Sequence, residues 1–324
     1  MTEGVGAPSI LERLRNKREL AVTFVVVSLL VFLTLTNVRH HEPKDDAKKQ
    51  QAWGGDGGVV NDGQPWLPTR PQIVLLGDSL TEYSGGQGGW GTSLAAAYGR
   101  KADVVNRGFA GYNTKWALPL VDDIFADCTS ANTALVTFFF GANDAALAPP
   151  DGTPTSHAQH VPLPQFRANM RAMVAGLQKR GLRRIVLMTP PPVYEPGRVA
   201  AAAARAASEP GAQQWPLDRS NATTGVYAAA VGELGKELGL PVVELWEGMQ
   251  ADEGWGDALF TDGLHFTPAG NAHVYGALMA AVASAYPDVA PSLLPLHFPH
   301  WSAFQETAGG AGGLQVGAKA ARAT

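Results

Sequence analysis

The sequence predicts a three-layer α/β/α sandwich around a parallel β-sheet, preceded by one transmembrane helix. Short apolar runs alternate with amphipathic helical patterns along most of the chain. The consecutive residues Phe138, Phe139 and Phe140 would give a strand with apolar side chains on both of its faces. Strands that alternate with helices form parallel sheets that helices cover on both faces. A separate uncharged run of about 19 residues near the amino terminus predicts the membrane helix.

Length and composition are those of a globular protein. The chain has 324 residues, 45% of them hydrophobic and 17% charged, which suffices for one large α/β domain with extensions. A net charge of -4 without a basic patch excludes nucleic acid as the expected partner. The single cysteine, Cys128, excludes an internal disulfide, and the scattered histidines form no metal-binding motif. We therefore expect neither a metal nor a cofactor.

The amino-terminal part is predicted to be a membrane anchor. A short segment, 1–19, precedes Leu20 to Val38, and this uncharged run would span roughly 28 Å as a helix. Basic residues flank it on both sides, and the tighter upstream cluster favours a cytoplasmic amino terminus with the large domain lumenal or extracellular. A cleaved signal peptide is the alternative, although its apolar core would be shorter. The polar and glycine-rich stretch 39–70 predicts a flexible linker.

The elements of the large domain, 71–301, follow from periodicity. Continuous apolar runs predict strands at Gln72 to Leu76, Asp103 to Asn106, Ala134 to Phe140, Arg184 to Met188 and Val242 to Leu245. Apolar residues at helical spacing predict helices at about 91–98, 114–125, 163–180, 221–238 and 268–286. Three prolines and an alanine-rich run to Ala207 predict a loop with an extra helix that walls the substrate pocket. The Gly/Ala-rich end, 302–324, predicts a disordered tail.

Ser79 is the candidate nucleophile. It follows the strand run Ile73 to Leu76 in the segment Gly77-Asp78-Ser79, so a buried strand would present its hydroxyl in a loop. A serine needs a base to take its proton and donors to stabilise the oxyanion. A helix-capping serine is the alternative interpretation, and only suitable partners elsewhere in the chain favour catalysis. Asp78 would point elsewhere and brace the loop.

Two further loops supply candidate oxyanion donors. Gly111 follows the second strand, where a glycine lets a backbone N–H approach a ligand or allows a turn with positive φ. Asn143 follows the buried Phe run, and its side-chain NH₂ is a neutral donor. An Asx turn is the alternative for Asn143. Both residues are placed at the carboxyl edge of the predicted sheet, where ligands of parallel sheets bind.

Asp262 and His265 are the candidate acid and base. Two residues separate them in a loop before Pro268, which begins the last helix. This spacing allows the carboxylate to reach Nδ1 of the imidazole and leaves Nε2 to accept the Ser79 proton. The alternative is a surface turn with an idle histidine. No Gly-x-Ser-x-Gly elbow and no P-loop motif occurs in the sequence.

In order, these blocks resemble the GDSL-type SGNH hydrolases. GDSL contains Ser79, NRGFAG contains Gly111, GAND contains Asn143, and DGLH contains Asp262 and His265. The phrases QGGWG, NRGFAGYNT, FFGAND and DGLHFTPAGN are similar to the isoamyl acetate-hydrolysing esterase branch. The resemblance runs from about Ile73 to Tyr286, continues over 293–301, and does not include the membrane anchor.

The resemblance implies a flavodoxin-like sheet and a serine ester hydrolase for small-molecule, short-chain esters. Ser79, Asp262 and His265 would be catalytic, and Ser79, Gly111 and Asn143 would form the oxyanion hole. Trp90, Phe109 and Tyr112 are candidates for an apolar substrate pocket, with the core as their alternative location.

Two other functions stay open, each with its own discriminating observation. The anchor suggests a secretory-pathway carbohydrate O-deacetylase or lipid acyl hydrolase, which activity on acetylated polysaccharide or lysophospholipid would reveal. A membrane-tethered binding protein with a dead site would be inert in ester assays. The sequon Asn221-Ala222-Thr223 is a candidate glycosylation site that would support a lumenal domain, and Asn221 as a helix cap is the alternative.

Overall fold

Five parallel strands form the central sheet of this domain. The computed structural model describes residues 69–147, 159–208 and 217–298, with the backbone of 304–305 and 315–316. The strands pair in the order β2-β1-β3-β4-β5, which is the flavodoxin-like order. Their bounds are β1 Gln72–Gly77, β2 Asp103–Gly108, β3 Thr133–Phe139, β4 Ile185–Met188 and β5 Val242–Val243. The predicted parallel sheet is therefore confirmed, and all five predicted strands are present.

Helices follow or precede each strand. The ten α-helices within the described residues are α1 Ser79–Glu82, α2 Trp90–Ala97, α3 Thr114–Ala117, α4 Val121–Ile124, α5 Leu163–Lys179, α6 Glu195–Ser208, α7 Asn221–Leu238, α8 Leu245–Gly248, α9 Trp255–Leu259 and α10 Pro268–Ala285. The extra helix predicted after the three prolines is α6.

Two apolar cores lie on opposite faces of the sheet. Alternate residues of β1 point to opposite sides, so Ile73 and Leu75 join one core while Val74 and Leu76 join the other. The first core also contains apolar side chains of α2 and α10, and the second contains those of α5 and α7. This division gives the three layers that the sequence predicts.

Two predicted elements differ from the structure, and three short helices were not predicted. The helix expected over 114–125 is interrupted by a 3₁₀ turn, Leu118–Leu120, because Pro119 cannot donate the hydrogen bond that a continuous helix needs. The strand expected at 242–245 ends at Val243, since Thr189 Oγ1 accepts the N–H groups of Leu245 and Trp246 and starts α8. The short helices α1, α8 and α9 were not predicted, because four or five residues are too few to show a helical period of apolar side chains.

Several predictions fall outside the described residues. The short segment 1–19, the membrane helix 20–38 and the linker through residue 68 belong to this part of the chain. Within the described residues, no helix has the length and apolar character required to cross a membrane. In the tail predicted to be disordered, Phe304–Gln305 and Gln315–Val316 form a short antiparallel strand pair.

The sheet brings the predicted site residues to one edge. Ser79, Gly111 and Asn143 follow the carboxyl ends of the three neighbouring strands β1, β2 and β3. The loop with Asp262 and His265 lies between α9 and α10. An antiparallel bridge between Phe260 and Phe266 closes this loop.

Candidate active site

Ser79 begins the short helix α1 immediately after β1. Asp78 is the N-cap of this helix, and its Oδ1 accepts the N–H of Leu80 at 2.9 Å. The Ser79 hydroxyl lies 3.0 Å from Nε2 of His265, although 186 residues separate them in the chain. The structure therefore places the candidate nucleophile and base within hydrogen-bonding distance, and Asp78 braces the loop as predicted.

Asp262 and His265 form a tight local unit. Nδ1 of His265 lies 2.9 Å from Oδ2 of Asp262, and because a carboxylate only accepts, Nδ1 carries the proton. Oδ1 of Asp262 accepts the N–H groups of Leu264 and His265 at 3.0 and 2.7 Å. Gly263 has φ of +79°, and a side chain there would collide with the backbone of α6. With Nδ1 protonated, Nε2 of the neutral ring accepts the Ser79 proton.

The hydrogen bonds to Asp262 stabilise its ionised form. Burial by itself would raise the pKa of the Asp262 carboxyl, but hydrogen bonds from the His265 ring and from the N–H groups of His265 and Leu264 lower this pKa well below its usual range. The carboxylate is thus kept negative beside the imidazole. A negative Asp262 stabilises the imidazolium that forms when His265 takes a proton.

Gly111 and Asn143 lie on separate loops near Ser79. Gly111 has φ of +80°, so its backbone adopts the positive-φ turn that the sequence analysis named as one reason for a glycine at this position. Within the described residues, the N–H groups of Ser79 and Gly111 donate to no other residue, so both are free to bind a ligand. Asn143 is buried, and its Nδ2 donates to the Tyr112 carbonyl at 2.8 Å. An amide nitrogen has two hydrogens, so one remains for an oxyanion.

An arginine that the sequence analysis did not identify orients Asn143. One amino group of Arg219 donates to Oδ1 of Asn143 at 2.7 Å and to Oε1 of Gln159 at 2.9 Å. Nε2 of Gln159 in turn donates to the Gly111 carbonyl at 2.9 Å. Burial lowers the pKa of the Arg219 guanidinium, while the neighbouring Asp218 opposes this shift. Arg219 thus contacts the Asn143 loop directly and the Gly111 loop through Gln159.

A second arginine contacts the triad carboxylate. Arg198 of α6 donates to Oδ2 of Asp262 at 3.1 Å and to both carboxylate oxygens of Asp218 at 2.9 to 3.2 Å. Asp218 is also paired with Arg219. Neither arginine has a local motif. The sequence offers one indication for Arg219, which lies just before the N-cap of α7. The helix dipole disfavours a positive charge at this end of a helix, so an arginine here indicates a nearby anion.

Two buried carboxylates lie beneath the site. Burial raises the pKa of Asp78 to about 6, against the hydrogen bond from Leu80. Burial likewise raises the pKa of Asp144 to about 7, although Thr114 donates two hydrogen bonds to it. One oxygen of each carboxyl group has no hydrogen-bond partner. Neither group contacts the Ser79 hydroxyl, so we assign them to the support of the loops.

A cleft of about 280 Å³ opens over Ser79 and His265. Its lining is Ser79, Leu80, Tyr83, Ser84, Gln87, Gly89, Thr261, His265, Phe266, Pro268 and Asn271. The Tyr83 ring lies 5.5 Å from the imidazole and is largely exposed at the mouth. The sequence analysis expected α6 to form a wall of the pocket, but no residue of α6 lines this cleft. Instead, Arg198 of α6 contacts Asp262. Among the described residues, no group of three His, Cys, Asp or Glu could hold a metal ion.

The aromatic pocket predicted from the sequence needs correction. The Trp90 side chain is fully buried, its Nε1 donates to the Leu80 carbonyl, and it packs edge-on against Phe139. Trp90 therefore belongs to the core that supports the Ser79 loop. Phe109 and Tyr112 are half-buried and stack on each other 5.2 Å apart, outside the cleft described above.

Asn221 is a structural residue. Its Nδ2 donates to Gln250, and its Oδ1 accepts from Trp246 Nε1 and from the N–H of Val193. Three neighbours thus hold the Asn221 side chain in the folded domain, and glycosylation at this residue stays a prediction. The cap alternative is wrong, because Ser220 is the N-cap and Asn221 is the first residue of α7.

Comparison with known sequences identifies the family. The GDSL-like Lipase/Acylhydrolase family profile matches residues 75–273, which include all five candidate site residues. The chain belongs to this family. It is therefore an ester hydrolase with the SGNH fold, and the family resemblance stated from the sequence is confirmed.

Relatives within the family cover most of the domain. A GDSL esterase/lipase of Arabidopsis thaliana is 45% identical over 238 residues, which are 72% of this chain and 93% of the relative. An isoamyl acetate-hydrolyzing esterase 1 homolog of Bos taurus is 39% identical over 234 residues, or 71% of this chain and 87% of the relative. The solved lipase/acylhydrolase from Enterococcus faecalis is 23% identical with a TM-score of 0.49, covering 66% of this chain and 96% of that one.

Proposed function

We propose that this chain hydrolyses short-chain, acetyl-type carboxylic esters through an acyl-enzyme intermediate. The observation that carries the proposal is the continuous hydrogen-bonded series from Ser79 through His265 to Asp262 at the floor of an open cleft. Membership of an esterase family supports the reaction class. The name of the Bos taurus relative, an isoamyl acetate-hydrolyzing esterase homolog, supports acetyl esters as substrates.

In the first step Ser79 Oγ attacks the ester carbonyl carbon while Nε2 of His265 takes the hydroxyl proton. Asp262 keeps Nδ1–H oriented and stabilises the imidazolium. The carbonyl oxygen becomes an oxyanion that the N–H groups of Ser79 and Gly111 and the free hydrogen of Asn143 bind. The intermediate then collapses, the C–O bond to the alcohol breaks, and the alcohol leaves with the proton from His265. Water activated by His265 releases the acid in the second half.

The cleft lies on the leaving-group side of Ser79. His265 lines it, whereas Gly111 and Asn143 do not. Because His265 returns its proton to the departing alkoxide, the alcohol part of the ester has to occupy this side. A volume of about 280 Å³ suits a small alcohol rather than a long chain. Tyr83 and Phe266 provide the apolar contacts.

The test is hydrolysis of p-nitrophenyl acetate, butyrate and octanoate by the full-length protein in detergent, with Ser79→Ala beside it. We expect turnover that falls with acyl length and disappears in Ser79→Ala. Equal activity of the two proteins would eliminate Ser79 as the nucleophile. If both are folded and inactive, the short-ester substrate is wrong, and acetylated polysaccharide and lysophospholipid become the substrates to assay.

We also propose that the segment 20–38 anchors the chain as a single-pass type II membrane protein with a lumenal or extracellular catalytic domain. The uncharged run and its tighter upstream basic cluster support this topology. In sealed microsomes the catalytic domain would resist added protease until detergent is present. Digestion without detergent would contradict this topology and place the catalytic domain on the cytoplasmic side. Release of the chain from the membrane by alkaline carbonate would contradict the membrane anchor.

A further inference from the structure

We propose that Arg198 and Arg219, joined by Asp218, are positioning residues that hold the triad carboxylate and the oxyanion-hole loops in fixed relative places. This inference rests on the proposed function of the site. The three charged residues form one unbroken path from Asp262 at one end to Asn143 and Gln159 at the other. Within the described residues, none of the three hydrogen-bonds to Ser79 or to the His265 ring, so none is a catalytic residue.

The triad end of the path explains how Asp262 is oriented. Its Oδ2 accepts from both His265 Nδ1 and Arg198, and the two Oδ1 contacts come from backbone N–H groups. A carboxylate with both oxygens engaged cannot rotate without breaking hydrogen bonds. Arg198 itself is held by both oxygens of Asp218 with only 13% of its side chain exposed, so its hydrogen bonds are poorly accessible to water.

The oxyanion end determines which way the Asn143 amide faces. Because a guanidinium can only donate, the Arg219 contact fixes the Asn143 oxygen toward Arg219 and the nitrogen toward the site. Arg219 is 3% exposed and also donates to the Ala142 carbonyl at 3.0 Å. Through Gln159 it reaches the carbonyl of Gly111. Without Arg219, only the hydrogen bond from Nδ2 to the Tyr112 carbonyl would hold the Asn143 amide in this orientation.

The charges along the path balance. Two arginines face two aspartates, Asp218 and Asp262, so each charge on the path has an opposite neighbour. Removing either arginine leaves Asp218 with one ionic partner instead of two, and removing Asp218 leaves the buried Arg219 without its ion pair, which disturbs that end of the path. The path therefore links the two halves of the site, although no strand of the sheet carries any of its three members.

The experiment measures kcat and KM of the full-length protein for p-nitrophenyl acetate in Arg198→Met, Arg198→Lys, Arg219→Met and Arg219→Lys. The matched control is Arg171→Met, since Arg171 forms an exposed ion pair with Glu237 far along α5. We expect kcat to fall about 10-fold to 100-fold in both Met variants with KM within about threefold, because positioning acts on the transition state. Arg198→Lys should retain part of the kcat that Arg198→Met loses. Arg171→Met should match wild type.

Two double-variant cycles separate positioning from general destabilisation. Adding Arg219→Met to Asn143→Ala should lower kcat little further, and adding Arg198→Met to Asp262→Asn should do the same, because each pair acts through one group. Fully multiplicative losses in both cycles would overturn the proposal, as would Met variants that match Arg171→Met. If Arg219→Met does not fold, Arg219→Lys and the near-isosteric Asp218→Asn provide the same cycle. Wild-type hydrolysis that Ser79→Ala abolishes tests the proposed function separately.

Discussion

The triad and the oxyanion loops are built in different ways. In the triad, Ser79, His265 and Asp262 contact each other directly, and Asp262 and His265 remain partly exposed. Gly111 and Asn143 have no such mutual contact among the described residues, and separate groups, Gln159 and Arg219, hold each of them. The base therefore stays accessible to substrate, whereas the oxyanion donor Asn143 is buried and its orientation is fixed in advance. Preorganised donors of this kind stabilise developing charge without rearrangement.

The largest expected effect comes from the nucleophile. Ser79→Ala removes the attacking oxygen and should lower kcat for p-nitrophenyl acetate by more than about 10³-fold, to the level of a site with only its remaining donors. The fold should persist, since among the described residues the Ser79 hydroxyl hydrogen-bonds only to His265. Circular dichroism checks the fold. Labelling by a fluorophosphonate should disappear in the same variant, and labelling that persists would place the reactive group elsewhere.

The next effect tests the oxyanion loops. Asn143→Ala removes the side-chain donor and should lower kcat by about 10²- to 10³-fold, with a small change in KM, because the amide acts on the oxyanion. A matched variant is Asn169→Ala, another buried asparagine, whose Nδ2 donates to Thr114 Oγ1 instead. We expect Asn169→Ala to lower the unfolding temperature but not kcat. Equal activity of Asn143→Ala and wild type would remove Asn143 from the reaction.

A smaller effect is expected at Gly111. Its φ of +80° disfavours any side chain, and a Cβ would lie 3.4 Å from Nε2 of Gln159. Gly111→Ala should cost about 1 kcal/mol of stability and lower kcat about tenfold as the loop shifts. Gly239→Ala is the control, since Gly239 also has positive φ but meets no atom within 4 Å and is far from the site in the chain. Both variants should lose similar stability in urea unfolding, and only Gly111→Ala should lose activity.

The two halves also carry carboxylates with opposite pKa shifts. The lowered pKa of Asp262 gives stability that is present above its unfolded value and is lost as pH falls below it. The pKa of Asp144, raised to about 7, works in the other direction. Its contribution is present at low pH and is lost as pH rises from the unfolded value, 3.8, to about 7.

Asp144→Asn should therefore weaken the decline in unfolding temperature between pH 5 and pH 8. The Asn oxygen can still accept from Thr114, so the fold should be retained. The exposed Asp122, which pairs with Arg180, gives the control Asp122→Asn, with the wild-type decline expected. The remaining decline in Asp144→Asn belongs to Asp78, whose pKa is about 6. A variant with the same pH dependence as wild type would mean that Asp144 is ionised throughout this range.

The sequence by itself determined the fold class and the five residues proposed for catalysis and oxyanion binding. Apolar periodicity depends on local side-chain spacing, which is why the parallel sheet and the long helices were predicted correctly. Asp262 and His265 could be paired from sequence because two intervening residues keep their contact local. Ser79 was identified from an apolar strand run that ends in Gly-Asp-Ser, with its partners recognised by their chemistry.

Only the tertiary structure decided which side chains support the site. Arg198 meets Asp262 across 64 residues, and Arg219 meets Asn143 across 76, so no local pattern records either contact. For the same reason, the sequence did not show that Trp90 lies in the core or that three groups distant in the chain hold the amide of Asn221. Charges and amides of this kind are stabilised by partners that only folding brings together. Their roles depend on the packing of α6 and α7 against the loops rather than on their own sequence neighbourhood.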